Sequence, residues 1–272
     1  MALTLMAVHA HPDDEAIGTG GVLARAASEG IRTVVVTCTN GEFGDGPGGV
    51  KPGEEGHDPA AVAATRRAEL ERAITALGVA HLEMLGYHDS GMVDWAYKSR
   101  GDVFANVPDE VAVARLVGLL DSYRPQVVIS YEEAAAYDHP DHVKTARITR
   151  LAAEQSGIPR KRYETSMSTR GWEKLAALLK EEGVEMPFEP SPEWLAKMAE
   201  SEAKITTVVD VSAFLEAKRA AVMAHASQMN QSFVSKLPAR AYELAFAQEY
   251  FIRAFDTTGA SIPETDLFAG LR

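Results

Sequence analysis

Thr33-Val34-Val35-Val36-Thr37-Cys38-Thr39 carries no charge and is dominated by β-branched side chains. A run of this length without polar alternation is a strand buried on both faces rather than one with a wet side. Residues 126–131, QVVISY, and residues 3–9, LTLMAVH, read the same way, and 81–85 is a shorter strand. Helical patterns fill the gaps: 20–29 stopped by Gly30, 60–77 stopped by Gly78, then 110–123 and 140–154. Buried strands alternating with helices give an α/β fold with a Rossmann-like, mostly parallel sheet and helices on both faces. Right-handed crossovers leave few other arrangements.

Beyond Pro159 the pattern loosens. Residues 163–167 and 205–211 read as strands, and 172–182, 192–203, 212–229 and 239–255 as helices. The expectation is one domain over 1–272: an α/β core over 1–158, and a C-terminal elaboration over 159–272 that completes the fold and pocket. Residues 41–59, rich in Gly, Pro and acid, form the one long loop, a lid or a mobile insert.

Composition removes several classes. Of the 272 residues, 39 are acidic and 27 basic, a formal charge of −12, which argues against a nucleic-acid partner. A single cysteine, Cys38, excludes an internal disulfide framework and a Cys-rich zinc module. No apolar run approaches the ~20 residues of a membrane span. The apolar N-terminus has no basic segment before it and runs directly into His9 and His11, so the reading is a first strand of a cytoplasmic protein rather than a signal peptide.

Ligands of parallel α/β sheets bind beyond the carboxyl ends of the strands. Here those ends are followed by His11-Pro12-Asp13-Asp14-Glu15, Asn40-Gly41-Glu42, His88-Asp89-Ser90-Gly91 and Tyr137-Asp138-His139-Pro140-Asp141-His142. Four loops therefore bring ionisable groups to one edge. His11 and Asp14 are three apart around a proline, as are His139 and His142, and Pro140 suits a first helical position. Two imidazoles and a carboxylate from these motifs form a three-ligand set for Zn²⁺ with a position left for water. Asp13 is the adjacent carboxylate that could take the water's proton. Single HxxH or Asp-Asp pairs are common on surfaces; the two motifs together are what favours a metal site. His9 reads as a core histidine, His57 and His81 as structural or solvated, and Cys38 as a small buried hydrophobe. The Gly18-Thr19-Gly20-Gly21 turn fits neither dinucleotide nor Walker spacing.

The paired motifs Ala10-His11-Pro12-Asp13-Asp14-Glu15 and Tyr137-Asp138-His139-Pro140-Asp141-His142 resemble those of the LmbE-like, or PIG-L, zinc-dependent de-N-acetylases, over residues 3–150. Residues 205–228, with His225-Ala226-Ser227-Gln228, resemble the family's late strand and helix, whereas 168–203 do not match. The resemblance implies metal on His11, Asp14 and His142 and Asp13 as general base. It further implies His139 as an acid or electrostatic group, Tyr137 polarising the acyl oxygen, and Arg66, Asp89 and Glu42 contacting substrate hydroxyls. The implied metal is Zn²⁺, with Fe²⁺ also compatible. The implied reaction is removal of an N-acyl group from an amino-sugar conjugate such as a GlcNAc derivative. A mycothiol S-conjugate amidase or a natural-product tailoring amidase is the alternative; the S-conjugate amidases carry a lysine where this chain has Gly18. A non-catalytic zinc-containing binding protein is the alternative of another class.

Overall fold

The computed structural model describes residues 3–92, 95–133, 137–184, 190–230 and 232–272. In chain order it places β1 Thr4–His9, α1 Asp14–Gly18, α2 Gly20–Ser28, β2 Arg32–Thr39, α3 Pro59–Ala76 and β3 His81–Tyr87. Next come α4 Asp109–Tyr123, β4 Val127–Tyr131, α5 Pro140–Ser156, β5 Lys161–Ser166, α6 Thr169–Glu181 and α7 Pro192–Glu202. The chain closes with β6 Thr207–Asp210, α8 Leu215–Ala224, α9 Ala226–Met229, α10 Ala239–Phe246 and β7 Gln248–Asp256. The strands form one sheet in the order β3-β2-β1-β4-β5-β7-β6. β7 lies antiparallel to both neighbours, so it alone runs against the other six.

The uninterrupted apolar strands are buried on both faces, as their sequence requires. Leu5 and Ala7 of β1 join Val35, Val127 and Ile129 in a core covered by α2, α3 and α8. Met6 and Val8 point the other way, into a core with Val34, Val36, Cys38 and Val128 under α4 and α5. Helix starts follow local chemistry. Asp58 caps α3 by accepting from the Ala60 and Ala61 N–H groups, with Pro59 in its first turn, and Pro140 opens α5.

Two C-terminal helices differ from expectation. Residues 239–255 are not one helix: α10 ends at Phe246, and Gln248–Asp256 is the strand between β5 and β6. The Tyr250-Phe251-Ile252 run suits a pleated surface, and pairing on both sides overrides helical periodicity there. The 212–229 helix is opened by a 3₁₀ turn over Ser212–Phe214 and is interrupted at His225.

The glycine turn ahead of α2 has a structural purpose. The free N–H groups of Gly21 and Val22 donate to the two carboxylate oxygens of Glu249 at 2.8 and 2.9 Å, and Lys218 Nζ donates to the same carboxylate at 2.6 Å. A β-carbon on Gly21 would sit 2.5 Å from Val211, so only glycine admits this approach.

Strand order fixes where ligands go. The chain leaves β1 toward β2 on one side and returns to β4 on the other, so the crevice lies at the carboxyl ends of β1 and β4.

Candidate active site

β1 delivers His11, Asp13 and Asp14 to that crevice; β4 and the first turn of α5 deliver Tyr131, His139, Asp141 and His142. Ligand atoms of His11, Asp14 and His142 lie within 4.8 Å of one another. Asp14 Oδ2 is 3.5 Å from His11 Nδ1 and 3.4 Å from His142 Nε2. A second group, His11, Asp89, His139 and Asp141, satisfies the same distance criterion and shares His11.

Hydrogen bonds separate the two groups. Asp141, fully buried, accepts at Oδ2 from His11 Nε2 at 3.1 Å and from the Ser90 N–H at 2.9 Å, and at Oδ1 from Ser90 Oγ at 2.5 Å. With its Nε2 proton committed to Asp141, His11 turns Nδ1 toward Asp14 and His142, the carboxylate–histidine arrangement that orients a metal ligand once Nδ1 gives up its proton. The Tyr131 hydroxyl donates to Asp14 Oδ2 and accepts from the Ala10 N–H, both at 2.8 Å, while its ring stacks on His142 at 4.2 Å. His11, Asp14 and His142 are thus the three held for a cation. Charge agrees: among the described residues, Asp13, Asp14, Asp89 and Asp141 gather around the histidines with Arg66 as their one arginine. Burial opposes a charge on His11, yet Asp89, Asp14 and Asp141 hold its pKa well above the usual value. Burial likewise opposes the Asp14 carboxylate, and His142 and His11 more than compensate, holding it well below its usual range. A site this rich in anions and imidazoles fits a divalent cation.

Asp13 sits beside this cluster with its backbone at φ 124° and its carboxylate Oδ2 3.0 Å from an Arg66 terminal nitrogen. Burial raises its pKa to about 6, against the pull of Arg66. Arg66 itself is buried; its terminal nitrogens also donate to the carbonyls of Pro12 at 2.6 Å and Gly41 at 2.7 Å. It is therefore no surface ion pair.

His139 packs edge-on to His11 with ring centroids 4.6 Å apart, and its Nδ1 accepts from the Asp141 N–H at 3.2 Å. Burial, reinforced by His11, lowers its pKa to about 3, so it stands neutral with Nε2 as donor. Tyr137 is half exposed at the mouth, its ring 4.9 Å from that of His142. Burial and the nearby aspartates raise its phenol, which stays protonated. Asp89 Oδ1 lies 3.7 Å from His11 Nε2 and accepts from the Gly91 N–H. Glu42 is buried between His88 Nδ1, at 2.5 Å, and the Asp89 N–H, at 3.1 Å. Of the other histidines, His9 is buried, with Nε2 2.9 Å from the Thr19 hydroxyl, and His57 Nε2 lies 3.0 Å from the Gly44 carbonyl.

Asp141, Ser90, Tyr131 and Glu15 cannot be identified as site residues from spacing alone. Asp141 carries a faint signal, a carboxylate between Pro140 and His142 on the helix that presents His142. Ser90 and Tyr131 carry none, because their partners lie 51 and 117 residues away.

The model of the PIG-L, GlcNAc-PI de-N-acetylase family matches residues 6–153, more than half of the chain. The chain belongs to this family. Among its relatives, a mycothiol S-conjugate amidase of Streptomyces coelicolor is 33% identical over 99% of this chain and 98% of its own length. A 1D-myo-inositol 2-acetamido-2-deoxy-alpha-D-glucopyranoside deacetylase of Kineococcus radiotolerans is 37% identical over 98% of this chain and 82% of its own. Among solved structures, the N,N'-diacetylchitobiose deacetylase of Pyrococcus horikoshii superposes with a TM-score of 0.59 at 21% identity, covering 93% of this chain and 84% of that one. Membership of the PIG-L family makes the chain an amide hydrolase of the deacetylase type. Among the described residues, no helix is long and apolar enough to cross a membrane.

Proposed function

We propose that the chain is a zinc-dependent deacetylase that removes an N-acetyl group from a GlcNAc-type amino-sugar conjugate of the kind named in its deacetylase relatives, a GlcNAc-inositol. The observation that carries this reading is the Asp13 carboxylate, held by Arg66 beside the His11–Asp14–His142 triad. A binding protein has no use for a further carboxylate held as a base next to its metal ligands. In this reading residues 1–272 act as one catalytic unit, with 1–158 supplying the ligands and 159–272 completing the pocket. Zinc suits a His₂–carboxylate set with an open position, and Fe²⁺ suits it too.

A divalent ion on His11, Asp14 and His142 supplies Lewis acidity at the amide carbonyl and acidifies the attacking water. Asp13 takes that water's proton, since its carboxylate lies beside the ligand set and is held there by Arg66. The Tyr137 phenol and the His139 Nε2–H donate toward the acyl oxygen as charge develops on it. The neutral state of His139 makes it a hydrogen-bond donor rather than the acid. Protonated Asp13 then returns its proton to the leaving amine. Asp89, beside His11 and backed by Glu42, binds substrate hydroxyls, while Arg66 serves Asp13.

The test is free-amine release from N-acetylglucosaminyl-inositol, a simple GlcNAc glycoside and a mycothiol-type S-conjugate, each with added zinc and with chelator. Chelator-sensitive release from the first two is expected; preference for the S-conjugate would select the amidase reading. The 33% identity to the Streptomyces coelicolor amidase over nearly the length of both chains keeps that reading in view, and Gly18 stands against it. Stoichiometric zinc without turnover on any of the three would return the binding-protein reading.

A further inference from the structure

Asp13 is one of two non-glycine residues with positive φ among those described, and at φ 124°, ψ −28° it lies outside the left-handed helical well. Such a conformation persists only where surrounding contacts over-determine it. Arg66 secures the carboxylate; the backbone is secured elsewhere. The Asp13 N–H donates to Glu15 Oε2 at 3.0 Å, and Glu15 is fully buried. Its other oxygen, Oε1, is 2.7 Å from Nε2 of His225, also fully buried and otherwise remote from the catalytic motifs.

His225 is anchored in turn. It sits at the break between α8 and α9, and Ser227 and Gln228 just beyond it make contacts of their own. Ser227 donates from N–H and Oγ to the Glu69 carboxylate at 2.7 and 2.6 Å, one turn of α3 beyond Arg66. The Gln228 side-chain oxygen accepts from the Asp45 N–H at 3.2 Å, and its amide nitrogen donates to the Asp45 carbonyl at 3.1 Å. Three residues within one four-residue stretch, His225, Ser227 and Gln228, thus grip the turn under the base, the helix that carries Arg66, and the 41–59 loop.

We infer that Glu15 and His225 are positioning residues for the reaction: a buried brace from the C-terminal segment that holds Asp13 in its positive-φ conformation, and so aims its carboxylate. The inference rests on Asp13 being the base. Neither residue is a metal ligand, so the brace controls turnover and not metal content. The amide of Glu15→Gln can accept from the Asp13 N–H and donate to a neutral His225, whereas Glu15→Ala removes both contacts.

The experiment combines crystal structures with steady-state kinetics and metal analysis of the full-length wild type, Glu15→Ala, Glu15→Gln and His225→Gln. Glu15→Ala is expected to bring Asp13 to negative φ and to lower kcat about tenfold or more, with KM and bound metal unchanged; Glu15→Gln is expected to restore most of the rate. An Asp13 that keeps positive φ in Glu15→Ala overturns the brace, whatever the activity. A relaxed Asp13 with unchanged kcat overturns the positioning role, as does a rate that falls only in step with lost metal. Should Glu15→Ala not fold, His225→Gln carries the same criteria. A wild type inactive on every N-acyl sugar would instead refute the proposed function, while the φ comparison still decides the brace.

Discussion

Buried carboxylates occur at the centre of the sheet and toward its β6 edge, and they are treated in opposite ways. On the β5-β7-β6 side each has its own cation. Glu249 meets Lys218 at 2.6 Å, and Glu264 meets Lys161 at 2.5 Å and Arg253 at 2.9 Å. Glu264 also accepts from the Tyr163 and Thr207 hydroxyls. At the β1–β4 crevice, Asp14, Asp89 and Asp141 share imidazoles, and Arg66 is spent on Asp13. The first arrangement is what a fold needs in order to bury charge at all. The second leaves the carboxylates with shared imidazoles and, among the described residues, no lysine or arginine of their own, the setting of a cation site rather than of a scaffold.

The sharpest way to break that contrast is to remove one member from the crevice. His142→Ala should lose both bound metal and activity, by about 10³-fold or more, whereas Asp13→Ala should keep the metal and lose turnover by about 10²–10⁴. Metal analysis alongside kinetics separates them; equal metal loss in both would merge base and ligand. On the paired side, Lys218→Met should cost about 3–5 kcal/mol of stability, because it strands the Glu249 carboxylate. Denaturant titration would read this, with metal stoichiometry unchanged in the folded protein.

The contrast also has a pH signature. Because Asp13 must be ionised to act as the base, kcat/KM should fall tenfold per unit of pH below its titration. Arg66 holds this pKa down, so Arg66→Met should move the acid limb to higher pH; a limb that stays put would disconnect Arg66 from the base. The smallest effect concerns the metal-free protein. Burial, with Asp141 nearby, raises the Asp89 pKa in the fold, so its ionised form weakens the native state. Asp89→Asn should therefore raise Tm, a gain absent at acid pH that appears as pH rises through the ordinary carboxylate range. Thermal melts across that range, in chelator, would show it; a lowered Tm at neutral pH would mean that Asp89 is adequately paired after all.

The same contrast explains what could be read in the sequence. Residues 33–39 and 126–131 declare a doubly covered sheet because an apolar run has only one comfortable place. The His-Pro-Asp-Asp and His-Pro-Asp-His motifs announce ligands because neighbouring residues on a turn face one way. Gln248–Asp256 reads as helix because its strand character comes from β5 and β6, which local periodicity does not contain. Glu15 is a motif residue, but its partner is 210 positions away, so nothing nearby marks the pair. Arg66 shows a similar limit: the helix is legible, and the carbonyls of Pro12 and Gly41 that turn its side chain inward are not.

The carboxylate seated on the glycine turn has a consequence for how the chain is made. Gly21 and Glu249 are 228 residues apart, so on the ribosome the start of α2 waits for 228 further residues before its free N–H groups find their partner. Arrival of β7 then latches the first βα unit to the last strand, so the two remote parts of the chain are fastened together in one late step.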